Sequence, residues 1–202
     1  MFLKYYLKTF STKTGYTSQG WSTTGCNATS ATHQAGGSYT TNASTTMYAV
    51  WKSNTVNLYN NGNENTSVTG GWVSAYTDGN YDVQGEFTKE TTRLHLSADC
   101  YKCIIYARTK NKINISNYSN LSFTTVQANG SSSYGHNRYF GLCDGSSWNG
   151  GTNNMKVSKD MGLDSSVGTY TLNISNQTGS YYICAFASGV WSDVWISKVV
   201  LK

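Results

Sequence analysis

Proline is absent from the 202-residue chain, and charged side chains make up only 12% of it. A chain of this length would ordinarily carry about ten prolines, so its turns must be built from Gly, Asn, Asp and Ser, which tolerate positive φ. Low charge can accompany disorder, but aromatic residues form 14% of this sequence. Disordered chains lack that apolar mass, so we expect a folded chain with a core.

Long charged and long apolar runs are also missing. The net charge of +5 is spread along the chain, which indicates a mildly basic surface and no nucleic-acid-binding arm. A membrane-spanning helix needs about 20 apolar residues, and no such stretch occurs, so no membrane insertion is expected. Residues 1–8 lack the apolar core and cleavage site of a signal peptide. We therefore expect either export by another route, such as a virion, or a piece of a longer exported protein.

Cysteine is sparse and irregularly spaced, at Cys26, Cys100, Cys103, Cys143 and Cys184. An odd count at wide spacing is a poor disulfide framework. A zinc site would need a second pair of ligands beside Cys100 and Cys103, and the sequence shows none. Cys103 and Cys184 lie in apolar runs, where cysteine behaves as a small hydrophobe. We predict that the cysteines are mostly free thiols in cores.

Catalytic signatures are lacking as well. The chain holds ten acidic residues, and nothing in their spacing pairs two carboxylates across a cleft as a glycosidase requires. No Gly-x-Ser-x-Gly elbow and no P-loop occurs. Cys143 and His136 imitate a thiol–imidazole pair, but a buried structural cysteine near a surface histidine is the simpler interpretation. We predict that the protein is not an enzyme.

Short runs with strand periodicity are what the sequence does contain. Leu121–Thr124 alternates apolar and polar residues, which places one face on a core. Cys103–Ala107 and Tyr181–Phe186 are continuously apolar, as expected of strands covered on both faces. Trp195–Leu201 predicts a closing strand, and turn signals such as Asn61-Gly62 separate the runs. Together they predict an all-β sandwich or barrel.

The first quarter of the chain carries Gly15-Tyr16, Gly20-Trp21 and Met47-Tyr48-Ala49-Val50-Trp51. Residues 1–52 therefore resemble the B repeat of internalin-type surface proteins, which implies a small β-grasp-like module with a spacer or adhesive role. Its usual opening strand is missing or degenerate, so the module is either truncated or completed by a neighbouring chain. A module this small needs large aromatics in its core. We assign the following residues to cores: Trp21, Tyr48, Trp51 and, in the next domain, Trp72.

Residues 54–202 show a different pattern. Leu58–Glu64 followed by Gly70-Gly71-Trp72, together with residues 113–121 and 170–183, resembles galactose-binding-like jelly-roll domains. The resemblance implies a β-sandwich and leaves the ligand open. Similar domains, paired with similar repeats, occur in tail and fibre proteins of phages of Gram-positive gut bacteria and in large cell-surface proteins. We predict two domains, residues 1–52 and 54–202.

Two polar loops of the second domain suit sugars, because aromatic rings pack on sugar C–H surfaces and nearby polar groups bind the hydroxyls. Trp148 is the predicted main platform, and Trp191 stands in the second loop. The alternative is that both tryptophans fold back over the sandwich ends. The predicted ligand-binding residues are Trp148, Trp191, Tyr134, His136, Arg138, Asn149 and Asp193.

Glu64 lies where many jelly-roll carbohydrate modules place a calcium-ligating acid. Calcium takes about six to eight oxygen ligands, and too few carboxylates cluster nearby, so we expect no cofactor and treat calcium as the minor alternative.

The sequence thus predicts a non-catalytic adhesion protein of a virion or cell surface. Its expected partners are a cell-surface glycan and other virion or surface-protein subunits, with no nucleic acid. The rival interpretation is a purely structural virion decoration or spacer without a glycan ligand.

Overall fold

The computed structural model describes residues 3–7, 12–13, 15–25, 28, 30–41, 45–74, 85–98, 104–129, 137–145, 155–161, 167–189 and 192–202. The chain divides into two compact units, Met1–Asn54 and Thr55–Lys202. Within the described ranges all regular structure is β, apart from the four-residue helix α1 (Thr66–Thr69). The all-β prediction is confirmed. Nowhere in those ranges does a helix have the length and apolarity needed to span a bilayer.

The described part of the first unit contains two antiparallel strand pairs. Strand β1 (Leu3–Tyr6) pairs with β3 (Ser38–Thr41), and β2 (Tyr16–Ser22) pairs with β4 (Tyr48–Ser53). Gly20 has φ +117°, and a Cβ there would collide with the carbonyl oxygen of His33. That carbonyl accepts a 2.8 Å hydrogen bond from the backbone N–H of Trp21, so the close approach explains the glycine that precedes this tryptophan.

The aromatic rings of this unit are less buried than the sequence predicted. Trp21, Tyr48 and Trp51 are only partly buried, whereas Val50 is fully enclosed. These three rings are therefore only partly enclosed, and their assignment to the core of this unit stays a prediction. A unit this small has too much surface for its volume to enclose several large rings.

The second unit is a sandwich of two antiparallel sheets. Sheet I has the order β14 (Met155–Asp160), β13 (Asn137–Cys143), β16 (Ser180–Ser188), β10 (Ile104–Thr109) and β7 (Trp72–Ser74), with β11 (Ile113–Asn114) also on β16. Sheet II has the order β15 (Gly168–Asn173), β12 (Asn120–Asn129), β17 (Asp193–Leu201), β5 (Val56–Asn60) and β6 (Asn63–Glu64), with β9 (Leu94–Ala98) on β17 and β8 (Gly85–Lys89) on β9.

Alternation along the strands builds the core between the two sheets. On β12, Leu121 and Phe123 are fully buried, while Ser122 lies on the opposite face and hydrogen-bonds the Thr171 hydroxyl at 2.9 Å. The Phe123 ring packs 4.5 Å from the Phe140 ring and meets the Trp72 ring edge-on at 6.1 Å. These contacts join sheet II to sheet I, and they confirm the core assignment of Trp72.

The turn between β5 and β6 follows its sequence signal. Asn61 has φ +46° and Gly62 has φ +89°, so both central residues of this two-residue turn are left-handed. Such turns match the right-handed twist of a hairpin, and Asn-Gly is their preferred sequence.

Candidate functional site

Most of the predicted ligand-binding residues lie outside the described residues. These are Trp148, Trp191, Tyr134, His136 and Asn149. The described members, Arg138 and Asp193, lie on strands of opposite sheets, Arg138 on β13 and Asp193 at the start of β17.

Arg138 is fully buried, although it was predicted to contact a ligand. Its Nη2 donates a hydrogen bond to the carbonyl oxygen of Asn129, which pairs with Asp193 in sheet II. The guanidinium therefore crosses from sheet I to sheet II, and the contacts seen for it are internal. Because a buried charge is costly unless it is bonded, this link ties the sheets together at one end of the sandwich.

Asp193 belongs to a polar cluster on the outer face of sheet II. Its Oδ1 lies 3.1 Å from Nε2 of His95, and the His95 ring stacks on Trp195 at 4.1 Å between centroids. The Trp195 indole N–H donates a 2.9 Å hydrogen bond to Glu90, which also pairs with Arg93. Trp195 is 8% exposed. The Trp195 ring therefore uses one face to stack on His95 and its N–H to bind Glu90, and both contacts are internal to the protein.

Electrostatics favour the ionised form of Asp193. Burial alone would raise the pKa of this carboxyl, but hydrogen bonds from His95 and Ser97 and the charges of His95 and Arg138 outweigh burial and lower it. Burial likewise opposes ionisation of Glu90, and hydrogen bonds from Arg93 and Trp195 lower its pKa overall.

This cluster predicts a loss of stability in acid. A carboxylate whose folded-state pKa lies below its unfolded value stabilises the fold above the unfolded pKa, and that stability is lost as pH falls through the folded pKa. We therefore expect Asp193→Asn to be less stable than the parent at pH 7, and the difference to shrink as pH falls below about 4. Urea unfolding at pH 7, 4 and 3 measures it, with Asp144→Asn, at an exposed carboxyl, as the control. A constant difference at every pH would contradict the assignment.

The outer face of sheet I carries a row of aromatic side chains. Tyr106 on β10 stands opposite Phe186 on β16, which stands opposite Tyr139 on β13. The Tyr139 and Phe186 rings stack at 6.2 Å between centroids. Tyr182, four residues before Phe186 on β16, lies on the same side. We call the outward side chains of Tyr106, Phe186, Tyr139 and Tyr182 the aromatic face.

Exposure divides the aromatic face into two kinds of ring. Tyr106 and Phe186 are buried, and burial raises the pKa of the Tyr106 phenol, which stays neutral at ordinary pH. Tyr139 and Tyr182 are only partly buried. The aromatic surface that stays partly exposed on this face therefore belongs to Tyr139, which stacks on Phe186, and to Tyr182, whose ring lies against the Arg108 guanidinium.

A disulfide lies beside Tyr182. Cys143 and Cys184, predicted to be free thiols, are bonded to each other. Cys143 stands directly opposite Tyr182, and Cys184 is two residues further along β16 on the same side. The prediction of a free thiol at Cys184 is wrong, because register places the two cysteines diagonally across neighbouring strands. The bond also removes Cys143 as a thiol nucleophile.

Two cations border the same end of the face. The Arg108 guanidinium carbon lies 4.3 Å from the centroid of the Tyr182 ring, and the Lys112 ammonium lies 5.4 Å from it. Arg108 Nη1 also donates a 2.7 Å hydrogen bond to the Thr109 carbonyl, which holds the guanidinium in place. At the other end Asp160 stands opposite Tyr139. The face is thus cationic near Tyr182 and acidic near Tyr139.

Glu64, the residue considered as a calcium ligand, forms an ion pair with Lys89, with 2.7 Å between Oε1 of Glu64 and Nζ of Lys89. A metal ion at this carboxylate would have to displace the ammonium group. Across the part of the chain that the structure describes, no three His, Cys, Asp or Glu side chains group as metal ligands would. The expectation that the protein needs no cofactor stays a prediction.

Sequence reasoning missed the aromatic face. The run Tyr181–Phe186 correctly predicted a strand covered on both sides. Ile183 and Ala185 face the core between the sheets, and Cys184 and Phe186 belong to a second buried cluster on the other side of the strand. The signal that was available is the aromatic or apolar residue at alternate positions of each strand: Ile104 and Tyr106 on β10, Tyr139 and Cys143 on β13, and Tyr182, Cys184 and Phe186 on β16.

No family model and no curated protein matches this sequence. Among solved structures, the chain is similar to a low-affinity xylan-binding module, CBM86, from the gut symbiont Roseburia intestinalis, with 15% identity and a TM-score of 0.40 over 65% of this chain and 93% of that one. It is also similar to the Endo-D glycoside hydrolase domain of Streptococcus pneumoniae R6, with 12% identity and a TM-score of 0.42 over 65% of this chain and 21% of that one. Likenesses this distant do not indicate what the present chain binds.

Proposed function

We propose that the unit Thr55–Lys202 is a non-catalytic carbohydrate-binding module that holds a glycan against the aromatic face. The observation that carries the proposal is the pair of partly exposed rings, Tyr139 and Tyr182, on neighbouring strands with polar groups at both ends. Aromatic platforms with a few placed polar groups are the usual composition of ligand sites.

The spacing of the two tyrosines suits an oligosaccharide. Tyr139 stands opposite Phe186, and Tyr182 is four residues from Phe186 along β16. At 3.3 Å per residue this separates the rings by about 13 Å along the strand direction, more than a single sugar ring spans. Because both side chains stand on strands of one sheet, their relative position is fixed before the ligand binds.

The disulfide supports a location outside the cytoplasm. Structural disulfides persist in oxidising compartments and are rare where thiols are kept reduced. We place the protein on a cell surface or a virion, as in a phage tail, with the B-repeat-like unit Met1–Asn54 as spacer or adhesive segment. A small aromatic platform gives weak affinity, on the order of millimolar to micromolar. Display of many copies on one particle would raise the overall strength through effective concentration.

The test is glycan-array binding followed by titration of the best ligand. Tyr139→Ala and Tyr182→Ala should each weaken binding about tenfold or more, since loss of about 1.4 kcal/mol of binding free energy is tenfold in affinity. Val126→Ala, at a 49% exposed position on the other sheet, is the matched control and should bind as the parent does. Tyr182→Phe should retain most of the affinity, because it keeps the ring.

The loop prediction is tested in the same series. If Trp148→Ala abolishes binding while both tyrosine variants bind normally, the site is the loop and the aromatic face is not the ligand surface. If no glycan binds and the chain forms a stable oligomer, the structural spacer becomes the correct function. Circular dichroism of every variant excludes loss of fold as the cause.

A further inference from the structure

We infer that the glycan held by the aromatic face is anionic, with its charged group bound by Arg108 and Lys112 at the Tyr182 end. This inference rests on the proposed function, because it names the class of ligand for the same site. The chemistry required is a negatively charged group on a sugar, either a uronate carboxylate or a phosphodiester.

The positions of the cations carry the argument. Strand β10 ends at Thr109, and the turn Lys110-Asn111-Lys112 leads into β11, so three cationic residues lie within five positions of the chain. Arg108 and Lys112 both approach the Tyr182 ring, at 4.3 and 5.4 Å from its centroid. A sugar packed near this ring would have both cations within reach of its substituents.

The lysines of this turn differ from two other cations of the sandwich, Lys89 and Arg93. Lys89 is paired with Glu64 at 2.7 Å, and Arg93 is paired with Glu90. Lys110 and Lys112 are exposed, and within the described ranges neither forms an ion pair with a carboxylate. Adjacent like charges repel one another, so a bound anion would relieve that repulsion as well as pair with them.

The guanidinium of Arg108 adds geometric selectivity. Its planar fork matches the two oxygens of a carboxylate or phosphate, and such charge-assisted hydrogen bonds are stronger than those to a neutral hydroxyl. Its Nη1 donates hydrogen bonds to the carbonyl oxygens of Thr109 at 2.7 Å and Lys110 at 3.4 Å, and these bonds orient the group in advance.

The experiment compares matched charged and neutral polymers on the full chain. Polygalacturonate is paired with its methyl ester, glucuronoxylan with its carboxyl-reduced form, and glycerol-phosphate teichoic acid with a neutral glucan. We expect at least tenfold tighter binding to one or more charged members, weakening as salt rises from 20 to 300 mM because salt screens exposed charges. Binding to the uronates alone or to the phosphodiester alone identifies the source of the anion.

Variants of the turn lysines test whether positive charge at the Tyr182 end contributes to binding. Lys110→Gln combined with Lys112→Gln should weaken binding to the charged polymer about fivefold at low salt and leave binding to a neutral polymer unchanged. Lys156→Gln combined with Lys159→Gln, at exposed positions on β14, is the control and should have no effect. Arg108 is left intact because it also bonds the backbone.

Failure of the anion assignment can be distinguished from failure of the carbohydrate site itself. Equal affinity for charged and neutral members, together with loss of both in Tyr182→Ala, overturns the anion assignment and leaves the carbohydrate site standing. An equal loss in the control pair means that net charge alone is responsible and also overturns it. If no polymer of either kind is bound, the proposed function fails and this inference fails with it.

Discussion

Replacing Phe123 by alanine is expected to lower the free energy of unfolding of the Thr55–Lys202 unit by about 3–5 kcal/mol. The side chain is fully buried and contacts Phe140 and Trp72 of the opposite sheet. Its removal leaves a cavity between two sheets that cannot close, because strands paired on both sides cannot move inward independently. Domains of this size have about 5–15 kcal/mol of stability in total, so the variant should be close to unfolding at 37 °C.

Urea denaturation followed by tryptophan fluorescence measures this loss. Val126→Ala on the same strand is the control, since Val126 is 49% exposed and its substitution should change the unfolding free energy by no more than about 0.5 kcal/mol. A loss below about 1 kcal/mol for Phe123→Ala would mean that the sheets do not pack through this ring.

Loss of the Cys143–Cys184 bond is the second large effect. The bond closes a loop with a sequence separation of 41. In the chain-entropy account, opening a loop of that length costs about 4 kcal/mol, because the unfolded chain regains the freedom that the bond had removed. We expect the parent protein to become less stable by about this amount when it is reduced, and the Cys143→Ser, Cys184→Ser double variant to show the same loss.

Reductant added to the double variant provides the control and should leave its unfolding midpoint unchanged. Non-reducing peptide mapping should recover Cys143 and Cys184 in one cross-linked pair. Two alkylated peptides in place of that pair, with no effect of reductant on the parent, would contradict the assignment.

Local patterns carried most of what the sequence revealed about the fold. The alternation at Leu121–Thr124 identified a strand and its inward face, because the side-chain period of a strand is two. The dipeptide Asn61-Gly62 identified a hairpin, because that turn demands positive φ at both positions. Both signals depend only on residues close together in the chain.

The candidate site depends on pairing between distant strands, which local patterns do not specify. Tyr106, Phe186 and Tyr139 become neighbours only through the registers of β10, β16 and β13. A shift of one residue would turn every outward ring into the core. Because β16 is apolar and buried on both sides, its hydrophobic pattern does not distinguish the two registers. Cys143 and Cys184 are likewise brought together only by the register of β13 and β16. Asp193, predicted as a ligand-binding loop residue, lies on β17 beside His95 for the same reason.

The most direct test of the account is NMR chemical-shift mapping of the full chain titrated with the best glycan from the array. We predict that the largest shifts fall on the amides of β10, β13 and β16 around Arg108, Tyr139 and Tyr182, and that β9 and the start of β17 on the opposite face stay unchanged. Shifts concentrated in residues 146–150 and 190–191, or within residues 1–54, with β10, β13 and β16 unaffected, would contradict the assignment of the aromatic face as the ligand surface.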